Sequence, residues 1–337
     1  MSLADALAYA GTGRPVPDDA MTGAMDEMLS GAADPMRVAG LLAALAARGE
    51  TPAEIAAGAR AMRANALTIR APDGTIDTCG TGGTGLHTLN VSTATAIVLA
   101  SLGVPVAKHG NKAASSLSGS ADVLSALGVR TGLPPARSEA ILAETGLVFL
   151  FAPAHHPAAA HVAPVRRALG CRTIFNLLGP LANPAGARRQ LMGVNDDALR
   201  APMAEALAAM GSERAWVVHG EDGLDELTVC GESRACVLSD GTITERTVTP
   251  EEAGLTRHAP GALRGGDPAH NAAALRRMLA GEPGAYRDAV VLNAGAGLIV
   301  AGRTDDLAAG ARMAEAAIND GRASAALDRL VAATEGA

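Results

Sequence analysis

The chain has 337 residues, 48% hydrophobic and 19% charged, with a formal net charge of −7. That excludes a disordered chain and leaves room for one large domain or two unequal ones. Aromatic residues make up only 2%, and with the acidic balance this argues against nucleic acid as a partner, since backbone charge and stacking rings are what such partners need.

Cys79, Cys171, Cys230 and Cys236 show no C-x-x-C spacing, so neither a zinc site nor a disulfide framework is expected. The opening Met1-Ser2-Leu3-Ala4-Asp5 lacks a basic segment followed by an apolar run, and no stretch of about 18 apolar residues appears. The expectation is a cytoplasmic protein with no membrane partner.

The first seventy residues predict helices. Met21, Met25 and Met28 recur at helical spacing, as do Val38, Leu41, Leu42 and Leu45. Asp34-Pro35 and Thr51-Pro52-Ala53-Glu54 mark helix starts, the second as a capping box. From Ile76 onward, short β-branched runs alternate with glycine turns and alanine-rich helical stretches. Val104–Ala107, Leu147–Phe151, Ala215–Val218 and Ala289–Leu292 are the candidate buried strands. Segment 229–250 alternates weakly around Asp240-Gly241, a hairpin signal. The fold class expected is α/β: a small helical domain over 1–70, joined by about 160–185, and a larger α/β domain over 71–160 and 186–337 with a mainly parallel central sheet.

Four segments carry chemistry. In the first, Asp77-Thr78-Cys79-Gly80-Thr81-Gly82-Gly83-Thr84-Gly85, four glycines in six positions let backbone N–H groups approach an anion. Ser92 and Thr93 follow where the next helix begins, so the positive end of its dipole faces the same place. A plain glycine turn capped by serine has the same sequence signature. The loop is neither a dinucleotide fingerprint nor a nucleotide P-loop.

The second, Lys108 to Asp122, follows the strand Val104–Ala107 at the end where open α/β sheets bind ligands. Between Lys108 and Ser120 lie two lysines, an imidazole, an amide and four serines, a donor-rich surface for a diphosphate and a ribose phosphate. Ser120 also suits a helix cap for Ala121–Leu127. The third comprises His155-His156-Pro157, Val165–Gly170 and Phe175–Pro184, where Arg166 offers a fork for a carboxylate and His156 with Gly179-Pro180 offers flat walls. A His156/His161 metal pair lacks a third ligand nearby. The fourth, Gly223-Leu224-Asp225-Glu226-Leu227, places adjacent carboxylates in a turn, which suits Mg²⁺ or a solvated acidic turn equally.

These segments, in this order, resemble the anthranilate phosphoribosyltransferases over nearly the whole chain, most closely at Gly80–Gly83, Asn90–Thr93, Lys108–Ser120, Arg166–Pro184 and Asp225-Glu226. The resemblance implies a nucleoside-phosphorylase-like fold, a homodimer built through the helical domain, and Mg²⁺ as cofactor. The activity implied is transfer of the 5-phosphoribosyl group from phosphoribosyl diphosphate to the amine of anthranilate, in tryptophan biosynthesis.

By motif position, it implies that phosphoribosyl diphosphate is held by Gly80, Gly83, Thr84, Thr88, Asn90, Val91, Ser92, Thr93, the run Lys108, His109, Gly110, Asn111, Lys112, Ala113, Ala114, Ser115 and Ser116, and Ser120. Anthranilate is implied at Gly80, Asn111, His156, Arg166, Gly179 and Pro180, and Mg²⁺ at Ser92, Asp225 and Glu226. Lys108 and His109 are expected to give electrostatic support, with no catalytic base, because the substrate amine is the nucleophile. Two positions depart from the family pattern: Thr84 stands for an aspartate and Lys112 for an arginine. The rival readings are a nucleoside phosphorylase, a nucleic-acid-binding relative without catalysis, and a non-catalytic ligand-binding module.

Overall fold

In the computed structural model, which describes residues 1–113 and 117–335, the chain opens with helices Leu3–Ala10, Asp18–Ser30, Pro35–Arg48 and Pro52–Ala64. Their starts follow from local chemistry. The Asp34 carboxylate accepts from the N–H groups of Met36 and Arg37 ahead of Pro35. Thr51 and Glu54 close the capping box. The methionine and leucine stripes that predicted these helices are buried, from Met21 to Leu45.

Seven strands form one sheet: β1 (Ile76–Gly80), β2 (Val106–Gly110), β3 (Leu147–Phe151), β4 (Arg189–Gly193), β5 (Arg214–Gly220), β6 (Ser233–Ser239) and β7 (Thr242–Val248). Their order is β3-β2-β1-β4-β5-β6-β7. The strands from β3 to β5 are parallel, and β6 and β7 add an antiparallel edge. Asp240 and Gly241 join β6 to β7 with φ of 50° and 77°, the two left-handed residues that a tight hairpin turn requires.

The pleat sorts side chains onto two faces. Leu191, Trp216 and Val218 pack with the helices Val91–Ser101 and Ala285–Val300. Met192, Val194, Ala215 and Val217 face the other way, into a cluster with Met21, Leu42, Ile55 and Leu207. The segment after β3 joins that second cluster through Ile174, Phe175, Leu177 and Leu178.

Two strand expectations need correction. Ala289–Leu292 is not a strand but part of the helix Ala285–Val300. From Ala289 through Leu298 that helix is buried on every side, so its apolar run has no 3.6-residue stripe to separate it from a buried strand. The strand expected at Val104–Ala107 begins instead at Val106 and runs on to Gly110. Among the described residues no helix is long and apolar enough to cross a membrane.

β1 lies between β2 and β4, so the chain leaves β1 in one direction for β2 and β3 and returns on the other side for β4 and β5. This reversal opens a crevice beyond the carboxyl ends of the strands. β1, β2, β4 and β5 all end in glycine there: Gly80, Gly110, Gly193 and Gly220.

Candidate active site

The crevice holds a cavity of about 340 Å³. Its walls are the loop after β1, from Gly80 to Asn90, the first turn of the helix Val91–Ser101, the loop after β2, and the pair Asp225 and Glu226. The described phosphoribosyl-diphosphate candidates all line it: Gly80, Gly83, Thr84, Thr88, Asn90 to Thr93, Lys108 to Ala113, and Ser120. Ala114, Ser115 and Ser116 lie outside the described residues. Gly82, Gly83 and Gly85 adopt φ between 63° and 80°, a backbone that side chains rarely tolerate.

Ser120 is the first residue of the helix Ser120–Ala126 and does not cap it. Asp122 takes that part, accepting from Gly119 N at 3.0 Å and from Ala113 N at 2.9 Å. The Ser120 hydroxyl donates to Asn111 O at 3.3 Å, and a Cβ on Gly110 would lie 2.3 Å from that hydroxyl oxygen.

Lys108 lies beneath the cavity floor, 3% exposed. Its ammonium donates to Thr78 O and, at 3.2 Å, to Ser92 Oγ. Glu226 is buried beside it and accepts from Ser92 N at 3.0 Å. Burial and the like charge of Asp225 push Glu226 up to about 8, against the pull of Lys108 and the Ser92 N–H. Burial also raises Asp225, whose Oδ2 accepts from Gly82 N at 2.9 Å. The pair is therefore not a solvated turn. Two crowded carboxylates and a hydroxyl form an all-oxygen donor set that a hard divalent cation would relieve, so Ser92, Asp225 and Glu226 fit Mg²⁺. Among the described residues no third acid, histidine or cysteine joins them.

The anthranilate-side candidates divide. Gly80 and Asn111 line the cavity, whereas His156, Arg166, Gly179 and Pro180 are not among its walls. His109 connects the two groups. Its ring sits 5.1 Å from that of His156, and its Nδ1 donates to Gly179 O at 3.0 Å. Burial, then the neighbouring His156, lowers His109 to about 3. Burial and His155 lower His156 to about 4. Both rings are neutral at pH 7, so any support from His109 is that of a dipole rather than a cation. The Arg166 guanidinium stacks 5.2 Å from the centre of the Phe175 ring, and burial lowers its pKa. Among the described residues His156 and His161 belong to no group of three or more possible metal ligands, and the His161 Nδ1 donates to Leu29 O at 2.8 Å.

Residues 73–324 match the family described as Glycosyl transferase family, a/b domain, and residues 4–66 match its helical bundle domain. Curated relatives include the anthranilate phosphoribosyltransferase of Azorhizobium caulinodans, 54% identical over 93% of this chain and 91% of the relative, and that of Maricaulis maris, 54% identical over 95% of each. The chain belongs to the anthranilate phosphoribosyltransferase family. Among solved structures, the anthranilate phosphoribosyltransferase of Thermus thermophilus superposes with a TM-score of 0.93, at 48% identity over 98% of this chain and 99% of the other. The Saccharomyces cerevisiae enzyme in complex with PRPP and Mg gives 0.90, at 25% identity over 99% of each chain.

Three residues outside the sequence-predicted set hold the site together. Asp77 is fully buried and accepts from His109 N at 3.1 Å and from Asn183 Nδ2 at 2.7 Å. Burial pushes it up to about 6, moderated by Lys108. Asn183 also donates to Ala107 O at 2.8 Å, tying the third segment to β2. Asn176 lines the cavity from the same segment. All three fall inside motif stretches, but nothing in the sequence distinguishes them from surface polar residues.

Proposed function

We propose that this chain transfers the 5-phosphoribosyl group from phosphoribosyl diphosphate to the amine of anthranilate, giving N-(5-phosphoribosyl)anthranilate and diphosphate in L-tryptophan biosynthesis. The observation that carries this reading is the convergence of the glycine loop, the Lys108–Ser120 loop and the Asp225-Glu226 pair on one cavity at the strand ends.

In the reaction the anomeric carbon exchanges its bond to a diphosphate oxygen for one to the amine nitrogen. Positive charge develops on the ribose and negative charge on the leaving group. The amine is neutral at pH 7, and the proton it sheds once the C–N bond forms passes to the departing diphosphate or to water, so no strong protein base is required. This chain supplies position and electrostatics. The glycine-loop backbone and the first turn of the helix Val91–Ser101 face the diphosphate, with Thr88, Asn90, Thr93, Lys112 and Ser120 as side-chain support. Lys108, fixed between Thr78 O and Ser92 Oγ, keeps a cation under the floor where negative charge accumulates. Ser92, Asp225 and Glu226 would hold Mg²⁺, which when bound neutralises diphosphate charge. Arg166 and Asn111 orient anthranilate, with His109, His156 and Gly179-Pro180 walling its approach and excluding water.

We assign residues 1–70 with about 160–185 to a helical lobe, and 71–160 with 186–337 to the unit that holds phosphoribosyl diphosphate. Packing of Phe175 and Leu178 among the N-terminal helices supports that division. A cytoplasmic homodimer built through the helical lobe completes the reading. Met36, 80% exposed on the helix Pro35–Arg48, supports an apolar contact there, and sedimentation at micromolar concentration tests it.

The deciding assay mixes purified protein, Mg²⁺, phosphoribosyl diphosphate and anthranilate and follows anthranilate fluorescence. Loss of fluorescence is expected. A folded protein that consumes no anthranilate overturns the reading.

A further inference from the structure

The glycine loop is braced by a segment far along the chain that does not line the cavity. Gly265 N donates to His87 O at 2.8 Å, and Leu89 N donates to Leu263 O at 2.9 Å. A Cβ on Gly265 would lie 2.7 Å from Thr88 O and 2.8 Å from Asn271 Oδ1, so only glycine allows this approach. Behind it stands Asn271, in the helix Pro268–Leu279 and 1% exposed.

The orientation of the Asn271 amide is forced by its neighbours. Gly266 N–H can only donate, and it meets Oδ1 at 2.8 Å. Asn271 Nδ2 must then face the other way, where it donates to Asn90 Oδ1 at 2.9 Å and reaches Thr88 O at 3.4 Å. The Asn90 amide is fixed in turn. With its oxygen taken by Asn271, its Nδ2 points across to Ser118 O on the second loop, 3.4 Å away. Turning the Asn271 amide over would oppose donor to donor at Gly266 and acceptor to acceptor at Thr88, and turning the Asn90 amide over would do the same at Asn271 Nδ2 and Ser118 O. Tyr286 completes the brace by donating its hydroxyl to Asn90 O at 3.2 Å.

We propose that Asn271 is a positioning residue for the transfer reaction: it sets the polarity of the Asn90 carboxamide, so that a donor rather than an acceptor faces the phosphoribosyl diphosphate. The inference rests on the functional reading given above. Asn90 lines the cavity and Asn271 does not, so Asn271 acts only through Asn90 and the backbone of Thr88. The ligand offers an array of phosphate and hydroxyl oxygens. A carbonyl turned toward them repels, whereas an N–H₂ group binds.

The test is steady-state kinetics on Asn271→Asp and Asn271→Ala in the full chain, with both Michaelis constants measured. Asn271→Asp still accepts from Gly266 N–H but presents a second acceptor to Asn90, which turns over to donate to it and shows its oxygen to the ligand. The expected result is a KM for phosphoribosyl diphosphate raised roughly 10- to 100-fold, the range for a hydrogen bond to a charged group. The KM for anthranilate should stay within about twofold, because Asn271 touches nothing on that side. Asn271→Ala removes the hydrogen bond that fixes the Asn90 oxygen and leaves only the longer contact with Ser118 O, so a smaller rise of about fivefold, the worth of one neutral hydrogen bond, is expected, again in one substrate only. If Asn271→Asp fails to fold, Asn271→Ala alone decides. A folded variant with both constants raised equally, or with the KM for phosphoribosyl diphosphate unchanged, overturns the inference. The unsubstituted enzyme is the control: its failure to turn over would sink the functional reading instead.

Discussion

Gly80 and Asp225 touch at the end of the parallel sheet, where a Cβ on Gly80 would lie 2.5 Å from Asp225 Oδ2. Gly193 closes on the same residue from β4, with a Cβ position 1.6 Å from Asp225 O. Two strand ends without side chains thus let the fourth motif reach the first, and Gly82 N–H fastens the carboxylate at 2.9 Å.

Gly80→Ala should displace that carboxylate from Gly82 and from the cation position it shares with Glu226. Losing one charge-assisted hydrogen bond corresponds to roughly a 10- to 100-fold fall in kcat/KM. The Mg²⁺ concentration for half-maximal rate should rise with it. Thermal unfolding should move little, since the substitution is at a cavity wall. A variant with normal Mg²⁺ dependence would show that the Gly80–Asp225 contact has no functional weight.

Arg166→Ala should raise the KM for anthranilate far more than that for phosphoribosyl diphosphate. The guanidinium lies 5.2 Å from the centre of the Phe175 ring, which leaves its N–H edge as the group that would meet a carboxylate. Loss of a bidentate charge-assisted contact predicts a rise of about 10- to 100-fold. Arg166→Lys should recover only part, because an ammonium lacks the planar fork. Equal effects on the two substrates would remove Arg166 from the anthranilate pocket.

How much of this was legible in the sequence depends on distance along the chain. The caps at Asp34 and Thr51 and the Asp240-Gly241 hairpin are local: donor, acceptor and turn residue lie within three positions. The cavity-lining glycine loop and the Lys108 segment were readable for the same reason, since each is contiguous. The helix Ala285–Val300 was not, because burial on every side erases the periodicity that reports a helix. Asn271 meets Asn90 across 181 residues of chain, and Asp77 meets Asn183 across 106. A lone asparagine in a helical pattern looks like solvent-facing surface until tertiary packing buries it. The neutral state of His109 was hidden likewise, since it depends on burial and on His156 standing next to it.

His156 makes stability depend on pH. Burial lowers it to about 4, so on acidification the unfolded chain takes up a proton that the folded chain refuses. Its effect is therefore absent above the ordinary histidine range near pH 6.5, and it destabilises the fold as pH falls below that value. At pH 5 the loss is on the order of 2 kcal/mol. His156→Asn should flatten the acid limb between about pH 6.5 and 4 in a comparison of unfolding midpoints with the unsubstituted protein. The buried Asp77, raised to about 6, acts in the opposite sense and loses stability as pH climbs from about 4 to 6, which is why the comparison must be between variants. Parallel curves for the two proteins would place His156 in an environment that accepts its charged form.

Thr84 is the position where the resemblance implies a carboxylate, and its surroundings give the expected direction of change. It lines the cavity and its hydroxyl accepts from Leu86 N at 3.3 Å, a contact that an aspartate oxygen can also make. Thr84→Asp therefore preserves the turn while adding negative charge to a cavity that already holds Asp225 and Glu226. Both of those acids are raised by burial, so the unliganded site disfavours their ionised forms, and a third charge strengthens its demand for a cation. The Mg²⁺ concentration for half-maximal rate should fall about fivefold, equivalent to roughly 1 kcal/mol at a solvent-exposed wall. At low Mg²⁺ the same substitution should weaken binding of phosphoribosyl diphosphate, since the added carboxylate repels phosphate that no cation neutralises. A Mg²⁺ titration at fixed saturating anthranilate, run at two phosphoribosyl diphosphate concentrations, separates the two effects. Superimposable titrations for Thr84 and its variant would show that this wall of the cavity does not sense the metal.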